Sequence, residues 1–327
     1  MDKIIKNLFI SKKDTIIDSN EYKFIGKGGT GVVYRVNLET KNVNLETKNV
    51  NLETNTPFAI KIIPKEKFNP NEYKIGLYLN SLLDNTSINF IKTLDKTEYD
   101  EYIVLKMDLV DTSLAEWSKT YHTSNEWYLC LLQILINLRI LQQKINLFHR
   151  DMKPKNILVK TFENVINFKY ELNSKEYEIN TNTIFYITDF AHSQCDLNQT
   201  KFITNYDTTD NDLYELRNLP QRLKVDNLIK QYKNKDDLIK IASQSEYFKG
   251  YYEKEKEKIL TKLKSYPDFI KDKHLIRNIS YFIVENNLIK IDISDIMSEE
   301  VELFFNSILD EDIDTVIDKL YETILLN

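Results

Sequence analysis

Cysteine is almost missing from this chain of 327 residues, which carries only Cys130 and Cys195. Two cysteines cannot build the disulfide framework of a small secreted domain, and such sparse usage is typical of proteins in a reducing compartment. A chain of this length has no need of such cross-links, since it can bury the core of one large domain or two modest ones.

Long apolar runs and an excess of positive charge are missing too. The most apolar stretch, residues 128–141, is interrupted by Asn137 and Arg139 and is too short to cross a membrane. The apolar run near the N-terminus is too short for a signal peptide. A net charge of −6 gives no general attraction for nucleic acid. We therefore expect a soluble, cytoplasmic, monomeric protein that binds neither membrane nor nucleic acid.

Glycine, proline and alanine are scarce, whereas asparagine, isoleucine, lysine and tyrosine are abundant. Residues with A/T-rich codons dominate, which suggests an A/T-rich genome such as that of a large DNA virus or a parasite. In such a chain the position of each glycine is informative.

Four of the six glycines fall between residues 26 and 31, in the stretch FIGKGGTGVVYRV. The flanking residues have strand character, so the cluster predicts a turn between two strands. One interpretation is a plain glycine-rich hairpin turn. The other is a loop whose backbone N–H groups approach a polyphosphate closely, for which a lone G-x-G-x-x-G is weak evidence.

A tandem repeat of the heptad VNLETKN follows, from residue 36 to residue 54. The unit is polar, with Val and Leu only two positions apart, so it sustains neither a coiled-coil seam nor an amphipathic strand. We interpret the repeat as an expanded surface loop between two strands, without chemistry of its own.

After the repeat, the pattern predicts a strand, a helix and a further strand. The strand TPFAIKIIP places Phe58, Ile60 and Ile62 on one face and Lys61 on the other. The helix begins near Pro70, with Glu72 in its first turn, and the next strand is expected over 102–107.

From about residue 111 the chain becomes helical. Thr123 and Glu126 have the spacing of a capping box before a long apolar helix. That helix ends near Asn146 and is followed by the string HRDMKPKNIL at 149–158, and the strand-like run FYIT leads to Asp189.

The string HRDMKPKNIL resembles the catalytic loop of Ser/Thr-type protein kinases, H-R-D-L-K-P-x-N, with Met152 in place of leucine. The glycine-rich hairpin, the A-I-K strand, this loop and the Asp189-Phe190 pair follow one another in the order typical of that family. The chain is similar to a divergent eukaryotic-type Ser/Thr protein kinase over residues 21–220.

The resemblance implies an α+β, bilobal protein kinase-like fold, with an antiparallel β-sheet N-lobe and a mainly helical C-lobe. We expect an N-terminal extension over 1–20, an N-lobe over 21–107 with the repeat loop at 36–56, and a C-lobe over 108–327. ATP with Mg²⁺ would bind in the cleft between the lobes.

The resemblance also assigns cofactor-binding residues. Gly26, Gly28 and Gly31 would approach the phosphates of ATP, Lys61 would hold the α- and β-phosphates, and Glu72 would orient Lys61 through a salt bridge. The remaining expected contacts are Val33, Ala59, Met107 at the back of the adenine pocket, and Asp108 and Leu109 along its edge, which reaches Val110.

In the catalytic loop, Asp151 would accept the proton of the substrate hydroxyl, and Lys153 would offset charge on the transferring phosphoryl group. Asn156 and Asp189 are hard oxygen ligands suited to Mg²⁺. Lys153 favours Ser or Thr as acceptors over Tyr. His149 and Arg150 are expected to be scaffold residues.

Three departures from the family pattern stand out. Asn156 and Asp189 are 33 residues apart, and the extra stretch alternates like a hairpin that extends two flanking strands. No Ala-Pro-Glu follows Asp189, and Asp212 already suggests the start of a central helix, which leaves a short activation segment similar to that of haspin-type kinases. Ala191 replaces a glycine, and we expect it to cost about 1–2 kcal/mol in a left-handed conformation and so to restrict flipping of the Asp-Phe unit.

Residues 221–327 carry no recognised motif. The stretches 247–269 and 299–326 are typical of helices, the second amphipathic and acidic, and we expect them to complete the larger lobe rather than to bind a partner. The favoured activity is ATP-dependent phosphorylation of Ser/Thr hydroxyls on proteins. The alternatives are a kinase for small-molecule or lipid hydroxyls, and a catalytically weak pseudokinase scaffold.

Overall fold

A computed structural model describes residues 22–27, 30–37, 57–83, 89–196, 212–213, 216–231, 235–244, 277, 280–285, 287–308 and 311–326. The chain divides into two compact units. The first comprises 1–112, 140–149 and 158–202, and the second comprises 113–139, 150–157 and 203–327. Residues 38–56 of the predicted repeat loop at 36–56 lie outside the described residues, as do the predicted N-terminal extension at 1–20 and the predicted helix at 247–269. The predicted lobe boundaries stay a prediction.

The first unit contains a five-stranded antiparallel sheet with the strand order β1-β2-β3-β5-β4. Its strands are β1 (Tyr22–Lys27), β2 (Val32–Val36), β3 (Phe58–Pro64), β4 (Thr93–Glu98) and β5 (Tyr102–Asp108). Each predicted strand of this region is therefore present, and β5 extends one residue past its expected end.

The central strand, β3, is buried along nearly its whole length. Phe58, Ile60 and Ile62 join the core on one face, as predicted from their alternation. Ile63 packs on the opposite face with Ile103 and Leu105. Because β-branched side chains pack well on a pleated surface, this strand is a rigid support for Lys61, its one charged residue.

Helix α1 (Pro70–Leu83) presents its core face through periodic spacing. Glu72, Ile75, Gly76 and Leu79 are all buried and follow the i, i+3, i+4, i+7 pattern of one helix face. Asn69 precedes Pro70, and its side-chain oxygen accepts a hydrogen bond from the backbone N–H of Asn71 at 3.0 Å. An N-cap asparagine followed by proline at the first helical position is a strong helix start, so the helix begins where predicted.

The stretch between Asn156 and Asp189 forms a long hairpin, as predicted. Strands β7 (Ile157–Leu172) and β8 (Lys175–Ile187) pair next to the two-residue strand β6 (Thr112–Ser113). The turn residues Asn173 and Ser174 have φ values of 54° and 61°. Two positive φ angles give the type I′ turn whose twist suits a two-residue hairpin.

The second unit is mainly helical. The short helix α2 (Leu114–Trp117) precedes helix α3 (Ser124–Ile145), whose last residues belong to the first unit. The predicted capping box is present: the backbone N–H of Thr123 donates to Glu126 Oε2 at 2.8 Å, and the backbone N–H of Glu126 donates to Thr123 Oγ1 at 3.3 Å. This reciprocal pair satisfies two backbone donors of the helix start.

Further helices among the described residues include α4 (Leu219–Gln231), α5 (Lys235–Ala242), α6 (Glu299–Ser307) and α7 (Ile313–Leu326). The stretch predicted as one acidic helix over 299–326 is thus two helices. The second begins after Asp312, whose carboxylate accepts hydrogen bonds from the backbone N–H groups of Asp314 and Thr315. An aspartate in this position is a preferred N-cap and starts a new helix.

Residues near the C-terminus pack against helix α3 inside the second unit. Trp127 meets Phe305 edge to face at 5.9 Å between ring centroids, and its indole N–H donates to the backbone oxygen of Ile296 at 3.1 Å. Arg139, which interrupts the apolar helix, forms a two-pronged pair with Asp314 at 2.9 and 2.7 Å. These segments therefore complete the second unit. Within the described part of the chain, no helix is both long and apolar enough to cross a membrane.

Removal of the capping box tests the start of helix α3. The Thr123→Ala variant should lose about 1 kcal/mol of unfolding free energy, because the backbone N–H of Glu126 loses its side-chain acceptor. Urea denaturation followed by far-UV circular dichroism measures this change. The Thr123→Ser variant, which keeps the hydroxyl, should stay close to wild type.

The pair between Arg139 and Asp314 should stabilise the second unit more than a one-pronged pair whose side chains are more exposed. A double-mutant cycle with Arg139→Ala and Asp314→Ala should give a coupling free energy of about 1 kcal/mol or more, because the two-pronged geometry is partly shielded from water. The matched control is Lys319–Glu311, an exposed pair, for which coupling should be near zero. Equal coupling in the two cycles would contradict this expectation.

Candidate active site

Lys61 is the centre of a buried charged cluster in the first unit. Its Nζ lies 2.6 Å from Glu72 Oε1 and 2.8 Å from Asp189 Oδ1. The side chains of Lys61 and Glu72 are each 8% exposed, and that of Asp189 is 24% exposed. The fold thus brings three predicted site residues into contact, with the ammonium group of Lys61 between two carboxylates. One of these, Asp189, lies 128 residues from Lys61 in the sequence.

The electrostatics of this cluster follow from burial and charge. Burial by itself would lower the pKa of Lys61, but the two adjacent carboxylates outweigh it and raise that pKa above its ordinary value. Burial raises the pKa of Glu72, and the negative charge of Asp189 adds to this, while Lys61 opposes both. The lysine is therefore held firmly in its charged form, which is the form that attracts phosphate.

Asp189 is held in an unusual backbone conformation. Its φ and ψ angles are 66° and 62°, in the left-handed region that aspartate tolerates better than most residues. The next residue, Phe190, is buried against Phe90 and His149, with ring centroids 5.9 and 5.1 Å apart. His149 also donates through Nε2 to the backbone oxygen of Thr188 at 2.9 Å. Packing on both sides of the aspartate thus over-determines its strained geometry.

Ala191 does not incur the expected backbone cost in the observed conformation. It lies within a right-handed 3₁₀ turn, Phe190–His192, and the positive φ angle falls two residues earlier, on Asp189. An alanine fits a right-handed turn without strain, so the cost would apply only to a conformation in which residue 191 is left-handed. The restricted flipping of the Asp-Phe unit stays a prediction.

The glycine-rich turn is described at Gly26 and Gly31, whereas Gly28 lies outside the described residues. A Cβ atom at Gly31 would lie 2.4 Å from the backbone oxygen of Ile62, so packing against β3 requires glycine. A Cβ atom at Gly26 would meet no atom within 4 Å. Packing therefore explains why residue 31 is a glycine. It does not explain Gly26, for which the approach of a ligand remains the predicted reason.

The other predicted nucleotide contacts lie around Lys61 in the sheet. Gly26 pairs with Val33, and Val33 pairs with Lys61 on β3. On the other side of β3, the buried Ala59 pairs with Met107. Asp108 ends β5, with its backbone N–H donating to the oxygen of Lys92 at 3.1 Å, and the half-buried Leu109 follows.

The second unit holds the other predicted residues in one tight loop. The Asp151 carboxylate accepts hydrogen bonds from Lys153 Nζ and, at 2.9 Å, from Asn156 Nδ2. The same amide group donates to the backbone oxygen of Asp151 at 2.9 Å. Asp151, Lys153 and Asn156 are thus brought together within one turn of chain, ending in the 3₁₀ turn Pro154–Asn156.

Asp212 supports this loop and was not among the predicted site residues. It is fully buried, and its Oδ1 accepts a hydrogen bond from the backbone N–H of Arg150 at 2.7 Å. Arg150 itself has a φ of 64°, so a buried carboxylate stabilises a left-handed residue directly before Asp151. The sequence signal that pointed to Asp212 is the predicted helix start, which agrees with the helical backbone of 212–213.

The donor atoms suit magnesium. Both amide hydrogens of Asn156 are directed at Asp151, so its amide oxygen is the atom that could bind a metal ion in the second unit. In the first unit, the carboxylate of Asp189 could do so. Mg²⁺ is usually held by one or two carboxylates together with phosphate oxygens rather than by an all-protein cage. Among the residues the structure describes, no group of three or more His, Cys, Asp or Glu residues able to hold a metal is found.

Comparison with known proteins gives the family. The family model described as "Protein kinase domain" matches residues 19–211, more than half of the chain. A relative from Encephalitozoon cuniculi, named probable serine/threonine-protein kinase MRK1 homolog, is 30% identical over 145 residues. That match covers 42% of this chain and 40% of the relative, so the chain matches less than half of the relative's length. The predicted α+β kinase fold class is confirmed, and the chain belongs to the protein kinase domain family.

Proposed function

We propose that this protein kinase transfers the γ-phosphoryl group of ATP, with Mg²⁺, to Ser or Thr hydroxyls of protein substrates. The observation that carries the proposal is the buried contact of Lys61 with both Glu72 and Asp189. A catalytically dead scaffold has no need to hold a desolvated lysine between two carboxylates, since such an arrangement is costly to bury. Two buried cysteines, Cys130 and Cys195, suit a reducing compartment such as the cytoplasm.

The groups of the first unit would bind and orient ATP. Lys61, kept charged by its carboxylate neighbours, would attract the α- and β-phosphates, and Glu72 would hold the lysine in place. Gly26, Gly28 and Gly31 would let the backbone approach the phosphates, with Val33, Ala59, Met107, Asp108 and Leu109 around the base. Asp189 and Asn156 would hold the magnesium ion, which when bound neutralises charge on the phosphate oxygens.

The groups of the catalytic loop would act on the acceptor. Asp151 would accept the proton of the substrate hydroxyl and orient its oxygen in line with the γ-phosphate. Lys153 would offset the charge that develops on the phosphoryl group as it is transferred. The observed hydrogen bonds from Lys153 and Asn156 hold the Asp151 carboxylate in one orientation, which is a requirement for such positioning.

The Ser/Thr preference is supported by Lys153 and by the printed name of the relative. A kinase for small-molecule hydroxyls is the second candidate, because no Ala-Pro-Glu follows Asp189. The catalytic-loop string Lys153-Pro154 favours the first candidate over the second.

Asp151→Asn tests the proposed activity. Purified protein is incubated with γ-labelled ATP, Mg²⁺ and generic protein substrates, with and without a set of small hydroxyl compounds. Wild type should label protein on Ser or Thr, and Asp151→Asn should lower the rate by about 10²–10⁴-fold, the usual contribution of a general base. Phosphoamino-acid analysis identifies the acceptor.

The controls separate the candidates. Transfer only to a small hydroxyl compound would support the second candidate. Folded wild type that binds ATP yet transfers nothing would contradict both and support a scaffold. A thermal unfolding curve of Asp151→Asn that matches wild type shows that the variant is folded.

Asp189→Asn and Ala191→Gly test two positions of this turn separately: the proposed magnesium ligand Asp189, and Ala191 two residues later. Asp189→Asn should abolish transfer and weaken Mg²⁺-dependent ATP binding, because a ligand charge and a partner of Lys61 are removed together. Ala191→Gly should keep transfer and lose about 1 kcal/mol of unfolding free energy, since glycine has more conformational freedom to lose. Kinetic assays and urea denaturation measure the two effects. An Ala191→Gly variant that gained activity over an inactive wild type would contradict the proposal.

A further inference from the structure

Asn69 links the start of helix α1 to the turn that follows Asp189. Its Oδ1 accepts from the backbone N–H of Asn71 at 3.0 Å, while its Nδ2 donates to the backbone oxygen of Ala191 at 2.5 Å. Its own backbone oxygen accepts from the N–H of Glu72 at 3.1 Å. One half-buried side chain thus joins two segments that are 122 residues apart.

The two side-chain bonds require an amide. The helix start needs an acceptor, and the oxygen of Ala191 needs a donor, so only a group that carries both at one branch point satisfies both partners. Aspartate would keep the acceptor and place a negative charge against the oxygen of Ala191. Serine would keep the cap, but its short side chain would not reach the second partner.

The contacts form a closed ring. Lys61 binds Glu72, the helix start connects Glu72 to Asn69, Asn69 binds the oxygen of Ala191, and the chain returns through Phe190 to Asp189, which binds Lys61. Glu72 lies in the first turn of its helix, so the position of that first turn determines whether Glu72 reaches Lys61. Of the four side chains that bond in this ring, those of Lys61, Glu72 and Asp189 are charged and that of Asn69 is neutral.

The other end of the helix is held to the sheet. Asn80 Nδ2 donates to the backbone oxygen of Thr93 at 2.6 Å, and the N–H of Thr93 donates to Asn80 Oδ1 at 3.2 Å. Between the two ends, Gly76 lies so close to Thr93 that a Cβ atom there would be 2.2 Å from its Oγ1. With that end held to β4, Asn69 fixes the end that carries Glu72.

We propose that Asn69 is a positioning residue for phosphoryl transfer, which holds Glu72 and Asp189 on Lys61 by tying the start of helix α1 to the oxygen of Ala191. This inference rests on the proposed function. It assigns to the side chain of Asn69 the alignment of the lysine that is proposed to bind phosphate.

The test compares Asn69→Ser with Asn69→Ala. Asn69→Ser keeps the cap and loses the bond to Ala191, whereas Asn69→Ala loses both. Both variants should lower kcat by about tenfold to a hundredfold, the order of effect of misplacing a catalytic group by an ångström, with a smaller change in the KM for ATP. Only Asn69→Ala should have a lowered Tm. The matched control is Asn167→Ser, an asparagine on the exposed face of the hairpin, which should behave as wild type.

A second readout follows Lys61 without any need for activity. The rate at which an amine-reactive reagent modifies Lys61 is measured by mass spectrometry at fixed alkaline pH, with the exposed Lys23 as internal reference. In the intact ring, Lys61 Nζ is buried and held between two carboxylates, which shields it from the reagent. Loosening of these contacts lets the reagent reach Nζ more often. Asn69→Ser should therefore speed the modification of Lys61 relative to Lys23.

The outcomes are distinguishable. Wild-type kcat and wild-type labelling in Asn69→Ser, with a destabilised Asn69→Ala, would show that Asn69 is only a helix cap and would overturn the inference. If wild type transfers no phosphate but Asn69→Ser still exposes Lys61 to the reagent, the proposed function fails while the positioning role stands. Loss of transfer in Asn69→Ser with unchanged labelling would also overturn the inference.

Discussion

The arrangement of strand β3, helix α1 and the turn at Asp189 in the first unit depends on one buried ammonium group, Lys61 Nζ. An unpaired charge in so buried a place would be strongly unfavourable, and its two carboxylate partners come from a helix and from a turn far along the chain. The central strand must therefore be rigid, the helix must begin at the right place, and Asp189 must adopt a left-handed conformation. Each of these features is found, and each has its own local cause in the sequence.

The loop at 150–156 has a similar arrangement in the second unit, with a carboxylate instead of an ammonium group at its centre. Here a carboxylate, Asp151, is surrounded by donors from Lys153 and Asn156. The strained Arg150 next to it is held by a buried carboxylate. Both clusters thus use backbone strain at one residue and packed polar partners around it, a combination that is common where geometry must be kept for chemistry.

Much of this arrangement can be read from the sequence because its cause is local. Alternation predicts strand β3 and the face of Lys61, the capping-box spacing predicts the start of helix α3, and the alternating insertion predicts the hairpin. Asn69 and Asp212 are different, since their partners lie far away in the sequence and nothing nearby distinguishes them from ordinary polar residues at helix starts. The same limit applies to Ala191: the φ angle at a turn is set by tertiary packing, and a residue type alone does not reveal which position takes the positive value.

The packing of Trp127 against Phe305 has a consequence for shortened forms of the chain. The family match stops at residue 211, yet the buried faces of Trp127 and Tyr128 are covered by side chains beyond residue 300. A chain cut at the end of the family match would expose these aromatic faces to water together with one end of the two-pronged Arg139 pair. Exposed apolar surface of this kind promotes aggregation, so we expect a chain cut at residue 211 to be less soluble than one that keeps these C-terminal helices.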